Sequence, residues 1–169
     1  MKRIFFLTTL LSAFLLNGCI KNELTIYKDT KVEFDAAVWN ANSAGITYPI
    51  IIRVPTFGAA TATSQPTLTR SSGTITLRVN LVGAQRTNAT NFSYQVVAGE
   101  STAVAGTHFT APSGTGSIPA NSSFGLVTIP ILNPGAGSGS RILVLQLIDN
   151  SEVQASFNYS KVGLSISQL

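Results

Sequence analysis

Thr74–Val82 alternates without a break, with Ile75, Leu77, Val79 and Leu81 on one side and Thr74, Thr76, Arg78 and Asn80 on the other. A period of two over this length predicts a half-buried β-strand. Burying its four apolar side chains contributes on the order of 6–12 kcal/mol of gross hydrophobic stabilisation before conformational entropy is charged against it. The same period recurs along the chain. Lys31–Asp35 places Val32 and Phe34 on one face, and Phe92, Tyr94 and Val96 share another. Val162, Leu164 and Ile166 alternate with Gly163, Ser165 and Ser167 as a closing strand. Tyr48–Val54 reads as a strand with Pro49 at its start, where a missing N–H is tolerated. Arg141–Asp149 is apolar on both faces apart from Gln146, as expected of an interior strand.

Between the strands the chain is rich in turn chemistry. Ser101–Leu132 contains Ala105-Gly106, Pro112 with Gly114 and Gly116, and Pro119-Ala120-Asn121 before the apolar-leaning run Leu126–Leu132. Gly83–Asn91 reads as a turn, and Asn133–Ser140 as a flexible hairpin-like connection. Ala36–Gly45 reads as a loop carrying the only tryptophan, Trp39. Pro55–Gly73 is either a long loop or a loop holding one weak edge strand near Thr67–Arg70. Ser151–Tyr159 has no apolar period of 3.6. Together these patterns predict an all-β sandwich of about seven or eight strands, with no convincing helix after the N-terminal signal beyond room for a single turn in Ser151–Tyr159.

The N-terminus follows a different logic. Met1-Lys2-Arg3 is a positive start, and Ile4–Leu16 is an apolar run too short to span a bilayer. Leu16-Asn17-Gly18-Cys19 resembles a bacterial lipobox, which implies cleavage before Cys19 and lipidation of that residue. The expected organisation is therefore a signal in 1–18, an acylated Cys19 with a tether through Thr30, and one domain over 31–169. Cys19 is the only cysteine, so its acylation leaves no thiol for a disulfide, a metal or a nucleophile. The formal charge of +4 falls by two when Lys2 and Arg3 leave with the signal. The remaining basic residues lie singly between Lys21 and Lys161, which argues against nucleic acid as a partner. Only 11% of residues are charged. Outward faces built of hydroxyls fit an extracytoplasmic β-protein.

Three segments carry a resemblance. Ser101-Thr-Ala-Val-Ala-Gly-Thr-His-Phe109, Gly116-Ser-Ile-Pro-Ala-Asn121 and Val127-Thr-Ile-Pro-Ile131 resemble the Calx-beta motif. They resemble more closely still an uncharacterised domain family of Gram-negative envelope lipoproteins of the starch-utilisation type. Asn158–Ile166 resembles the last strand of that family. The resemblance implies an immunoglobulin-like β-sandwich over roughly Lys31 to Gln168. The lipid on Cys19 is expected to hold it in the bacterial cell envelope, at the outer membrane. Calx-beta domains that bind calcium carry acids in the loops at one end of the sandwich. Here His108-Phe109, Asn121-Ser122 and Asn133-Pro134-Gly135 stand at those positions. Calcium needs six to eight oxygens, several of them carboxylate, so no metal is expected.

Candidate chemistry is sparse. His108 is the only histidine and has no second ligand or acid partner in the sequence, so it reads as a turn or rim residue. Asp29, Glu33 and Asp35 cluster, but Glu33 and Asp35 share strand parity opposite Val32 and Phe34, which makes them a solvated face. Trp39 reads first as a core or sheet-edge residue. Alternatively, with Tyr48 nearby and Asn40, Asn42 and Ser43 around it, it offers a surface for stacking on a sugar ring. Asn88, Asn91, Asn121 and Asn158 stand in sequons but read as turn residues. No enzyme, cofactor or catalytic set is expected. The expected function is a non-enzymatic envelope lipoprotein, an accessory or binding module for glycan capture or for other envelope proteins of an uptake complex. The alternative is a structural or adhesive surface domain without a small ligand.

Overall fold

The structure, a computed structural model, describes residues 29–169. The signal segment, Cys19 and the tether up to residue 28 lie outside the described residues. The chain forms β1 (Lys31–Phe34), a short helix α1 (Asp35–Trp39), β2 (Ile50–Ile51), β3 (Thr74–Val82) and β4 (Thr90–Val96). A 3-10 turn at Ala98–Glu100 precedes β5 (Thr115–Ile118), β6 (Phe124–Pro130), β7 (Ser140–Ile148), β8 (Gln154–Ala155) and β9 (Lys161–Ser167). Two sheets result, ordered β6-β3-β1-β8 and β2-β9-β7-β4-β5. This is the expected all-β, immunoglobulin-like sandwich.

The alternations identified in the sequence build the interior. Ile75, Leu77, Val79 and Leu81 of β3 are buried with Val32 and Phe34 of β1 and with Val127 and Ile129 of β6. Facing them in one continuous core are Phe92 and Tyr94 of β4, Leu143, Leu145 and Leu147 of β7, and Val162, Leu164 and Ile166 of β9. β7 is the central strand of its sheet, paired antiparallel with both β4 and β9. Its apolar character extends to both faces: Val144, on the side away from the core, is buried as well.

Several expectations need correction. Ala36–Gly45 is not all loop, because Asp35–Trp39 forms a helix with Asn40 closing it through its backbone N–H on the Ala36 carbonyl. Five residues are too few to show a helical period. The Tyr48–Val54 strand contracts to Ile50–Ile51, parallel to β9. From Ile52 the chain turns to pair with the 66–68 segment, where Leu68 N–H donates to Ile52 O and Val54 N–H to Pro66 O. Thr67–Arg70 therefore is extended, bridging Arg53 on one side and Ser167 on the other, with Leu68 wholly buried. β5 and β8 were not expected. In β5 the inward position opposite Phe92 is Gly116, whose missing side chain leaves room for the Phe92 ring. A Cβ on Gly125 of β6 would lie 2.5 Å from the Ser117 carbonyl oxygen, so the two strands meet around Phe92 only because both carry glycine there.

Candidate functional site

Two groups of aromatic and charged side chains stand on opposite sheets. The first covers the outer face of the four-stranded sheet. Arg78 and Asn80 point outward from β3, and register with β6 sets Leu126 beside Arg78 and Phe124 beside Asn80. β1 ends at Phe34, and the chain rises into α1 so that Asp35 sits above Arg78. Its Oδ1 accepts from Arg78 Nη2 at 2.6 Å, Asn80 Nδ2 at 3.0 Å and Trp39 Nε1 at 3.2 Å. Its Oδ2 accepts from Gly58 N–H at 2.7 Å. The Arg78 guanidinium lies between two rings, 5.6 Å from the centre of Phe57 and 5.4 Å from that of Phe124. Its Nε is the one buried side-chain polar atom without a hydrogen bond among the described residues.

Asp35 is thus buried, not part of a solvated face. Its strand parity is outward as expected, but Trp39 and the Phe57–Gly58 loop close over it. Burial alone would push its carboxyl up. The bonds from Gly58, Asn80 and Arg78 outweigh that and hold it below its ordinary value. Glu33 on the same face is raised, by burial first and by the charge of Asp35, against a lowering bond from Asn80. Trp39 is 49% exposed at the end of α1, with its one N–H committed to Asp35. The amide of Asn40 is also committed, donating to Ala36 O and accepting from Thr61 N–H and Oγ1. Of the polar groups that the sequence sets around Trp39, Ser43 too is used, its Oγ accepting from Ile50 N–H.

The second group lies on the five-stranded sheet. A cleft of about 510 Å³ is lined by Asn42, Thr47, Gln146, Phe157, Asn158, Tyr159, Ser160 and Lys161. Pairing of β7 with β9 sets Gln146 opposite Lys161, and the segments 42–47 and 157–160 form the walls. Phe157 is 96% exposed and Tyr159 is also exposed. None of the side chains of Asn42, Thr47, Gln146, Asn158 and Ser160 hydrogen-bonds to another described residue. Lys161 is the only charged residue of the lining. Its Nζ donates to Glu100 Oε1 at 2.8 Å and lies 5.2 Å from the centre of the Tyr48 ring. Lys161 and Tyr48 hold the Glu100 carboxyl below its usual value, while burial and the Glu100 carboxylate push the Tyr48 hydroxyl up to about 12.

Trp39 and Tyr48 therefore belong to different groups. Tyr48 is 5% exposed and supports Lys161 from below. The residues missed in the sequence are Phe157, Tyr159 and, apart from Asn42, the polar side chains around them. Their signal was present, since Ser156-Phe-Asn-Tyr-Ser160 alternates large aromatics with polar residues in a segment that forms no strand. His108 lies in a turn, where its Nδ1 accepts from Val104 N–H at 3.0 Å. An apolar groove of about 550 Å³ between β4 and the 98–114 segment is walled mainly by Ala98, Ala103, Val104, Phe109 and Pro112. It has few polar groups with which to orient a ligand.

No protein-family model and no curated protein matches the chain. Among solved structures it is similar to the apo form of the Calx CBD1 domain, at TM-score 0.55 and 13% identity over 83% of this chain and 99% of that one. It is also similar to the calcium binding domain CBD12 of CALX1.1, at TM-score 0.51 and 19% identity over 59% of this chain and 40% of that one. The chain has a Calx-beta-like fold. The calcium in the second name finds no matching donor set here. Among the described residues no three His, Cys, Asp or Glu groups stand close enough to share an ion. Asp35 and Glu100 are each tied to a cation, and Glu152 takes both bonds that Asn91 offers. Asn133 Oδ1 accepts from Arg70 Nη1 and from Gly135 N–H. Residues so committed do not fit calcium.

Proposed function

We propose that this chain is a non-enzymatic module of the bacterial cell envelope, anchored in the outer membrane through Cys19, that captures polysaccharide in the cleft between Phe157 and Lys161. One observation supports this reading above the others. The cleft combines two exposed aromatic rings with five amide or hydroxyl side chains that have no partner among the described residues. A pyranose presents an apolar C–H face and a rim of hydroxyls. Rings meet the face, and amides meet the hydroxyls as donors and acceptors at once. No acid–base pair faces the cleft, so the reading is of capture and not of cleavage. Lone domains of this kind bind weakly, at millimolar to high-micromolar Kd, or roughly 4–6 kcal/mol.

The test is affinity electrophoresis of the full chain through gels containing soluble polysaccharide. Wild type is expected to be retarded, and Phe157→Ala with Tyr159→Ala to run as in the blank gel with its thermal midpoint unchanged. A structural or adhesive domain without small ligand predicts no retardation of wild type by any polysaccharide. Anchoring is tested separately. Cys19→Ala should leave precursor or release soluble protein, and processed protein that still fractionates with membranes would refute the anchor.

A further inference from the structure

The charge of the cleft sets the class of sugar it accepts, an inference that rests on the reading of the cleft as a glycan site. Lys161 is the only charged residue in its lining, and a free ammonium there would favour uronic acids or other anionic sugars. It is not free. Glu100, from the 3-10 turn after β4, holds Nζ at 2.8 Å, and the Tyr48 ring lies against the same ammonium. Glu100 itself is absent from the lining, so its carboxylate cancels the cation from outside and leaves the floor electrically neutral. The remaining lining groups, Asn42, Thr47, Gln146, Asn158 and Ser160, carry no charge.

We infer that the cleft takes neutral hexopyranose units, and that Glu100 is the residue that excludes acidic ones by neutralising Lys161. It acts on specificity without touching the sugar. An anionic sugar entering the wild-type cleft would have to displace the Glu100 carboxylate from Lys161 and then lie beside it, so like charges would meet at close range.

The experiment compares the full chain, in mild detergent, on gels containing dextran, galactomannan or amylopectin with gels containing polygalacturonate or alginate. Wild type should be retarded by at least one neutral polymer and not by the acidic ones. Glu100→Gln keeps the shape of the side chain and frees Lys161. It should raise retention on acidic polymer relative to neutral polymer by about two- to fivefold, the scale of an exposed ion pair. Adding Lys161→Met to Glu100→Gln should abolish that gain, which a merely structural role for Glu100 does not predict. Preferential retention of wild type on the acidic polymers overturns the inference while leaving glycan capture standing, as does an unchanged ratio in Glu100→Gln. Failure of wild type to bind any of the polymers overturns both.

Discussion

Around Arg78 a cation, a carboxylate and the rings of Trp39, Phe57 and Phe124 close on one another, whereas Lys161, paired with Glu100 and backed by the Tyr48 ring, borders an open cleft together with the rings of Phe157 and Tyr159. The ingredients match, and their states differ. The Asp35 side chain is 3% exposed and accepts four bonds, while that of Glu100 is 39% exposed. In the first region almost every polar atom has a partner within the chain, and the aromatics pin the 57–58 loop to the sheet. In the second only Lys161 of the ion pair lines the cleft, and the amides beside it have no side-chain partner among the described residues. Residue type alone therefore does not mark a binding site. What marks it is whether the polar groups among the aromatics are already committed.

The difference predicts a graded response. Asp35→Ala leaves the Arg78 charge without its partner and three other donors unmatched. It should lower unfolding stability by about 3 kcal/mol in urea titration, the low end for a broken buried pair because Arg78 keeps some solvent contact. Glu100→Ala should cost less than about 1 kcal/mol, as exposed pairs do. Equal losses would erase the contrast between the regions.

Acid should weaken the first region more than the second, because the carboxylate lost there is buried and accepts four bonds while Glu100 is exposed. Because the fold lowers the carboxyl pKa of Asp35, its stabilisation is complete above the unfolded-state value near 4 and is lost as pH falls through the lower folded value. Glu33, which is raised, works in the opposite sense, its contribution falling as pH rises past its unfolded value. Thermal melts should show wild type losing midpoint below about pH 4, with that limb flattened in Asp35→Asn. An identical acid limb in the variant would contradict the burial of Asp35 as described.

Smaller effects follow. Phe57→Ala removes one of the rings stacked on Arg78 and should cost about 1 kcal/mol. Phe157→Ala, at a ring in solvent, should stay within about 0.5 kcal/mol of wild type in the same titration. The smallest effect is expected of calcium. With Asp35 and Glu100 tied to cations, millimolar calcium and chelator should give the same midpoint. A reproducible rise of several degrees would mean that a native-state site exists after all.

The sequence made the strands legible where a single strand obeys one period over its whole length, as Thr74–Val82 and Lys161–Ser167 do. It hid β5 because its inward position beside Ile118 is a glycine, chosen for the space it leaves to Phe92 and not for its own burial. It hid β8 because two residues carry no period. Parity correctly put Asp35 on the outer face. Nothing local to residue 35 announced that Gly58, 23 positions away, would fold over and bond to it. The cleft was hidden for the same reason. Asn42, Gln146 and Tyr159 come from three separate segments and meet because β9 pairs with β7 on one side and with β2 on the other. Trp39 drew attention as the lone tryptophan, and only the hydrogen bonds reveal that Asn40 and Ser43 beside it already have partners, while Asn42 turns up in the cleft.

Retention on a neutral polysaccharide, measured side by side for Phe157→Ala with Tyr159→Ala and for Trp39→Ala, tests the central claim most directly. Trp39→Ala loses one hydrogen bond at 3.2 Å and should fall in stability by about 1 kcal/mol. It should nevertheless migrate through the polysaccharide gel as slowly as wild type, while the double variant, fully folded, runs free. Loss of retention in Trp39→Ala with retention kept in the double variant would place sugar on the arginine–aromatic face and contradict the account.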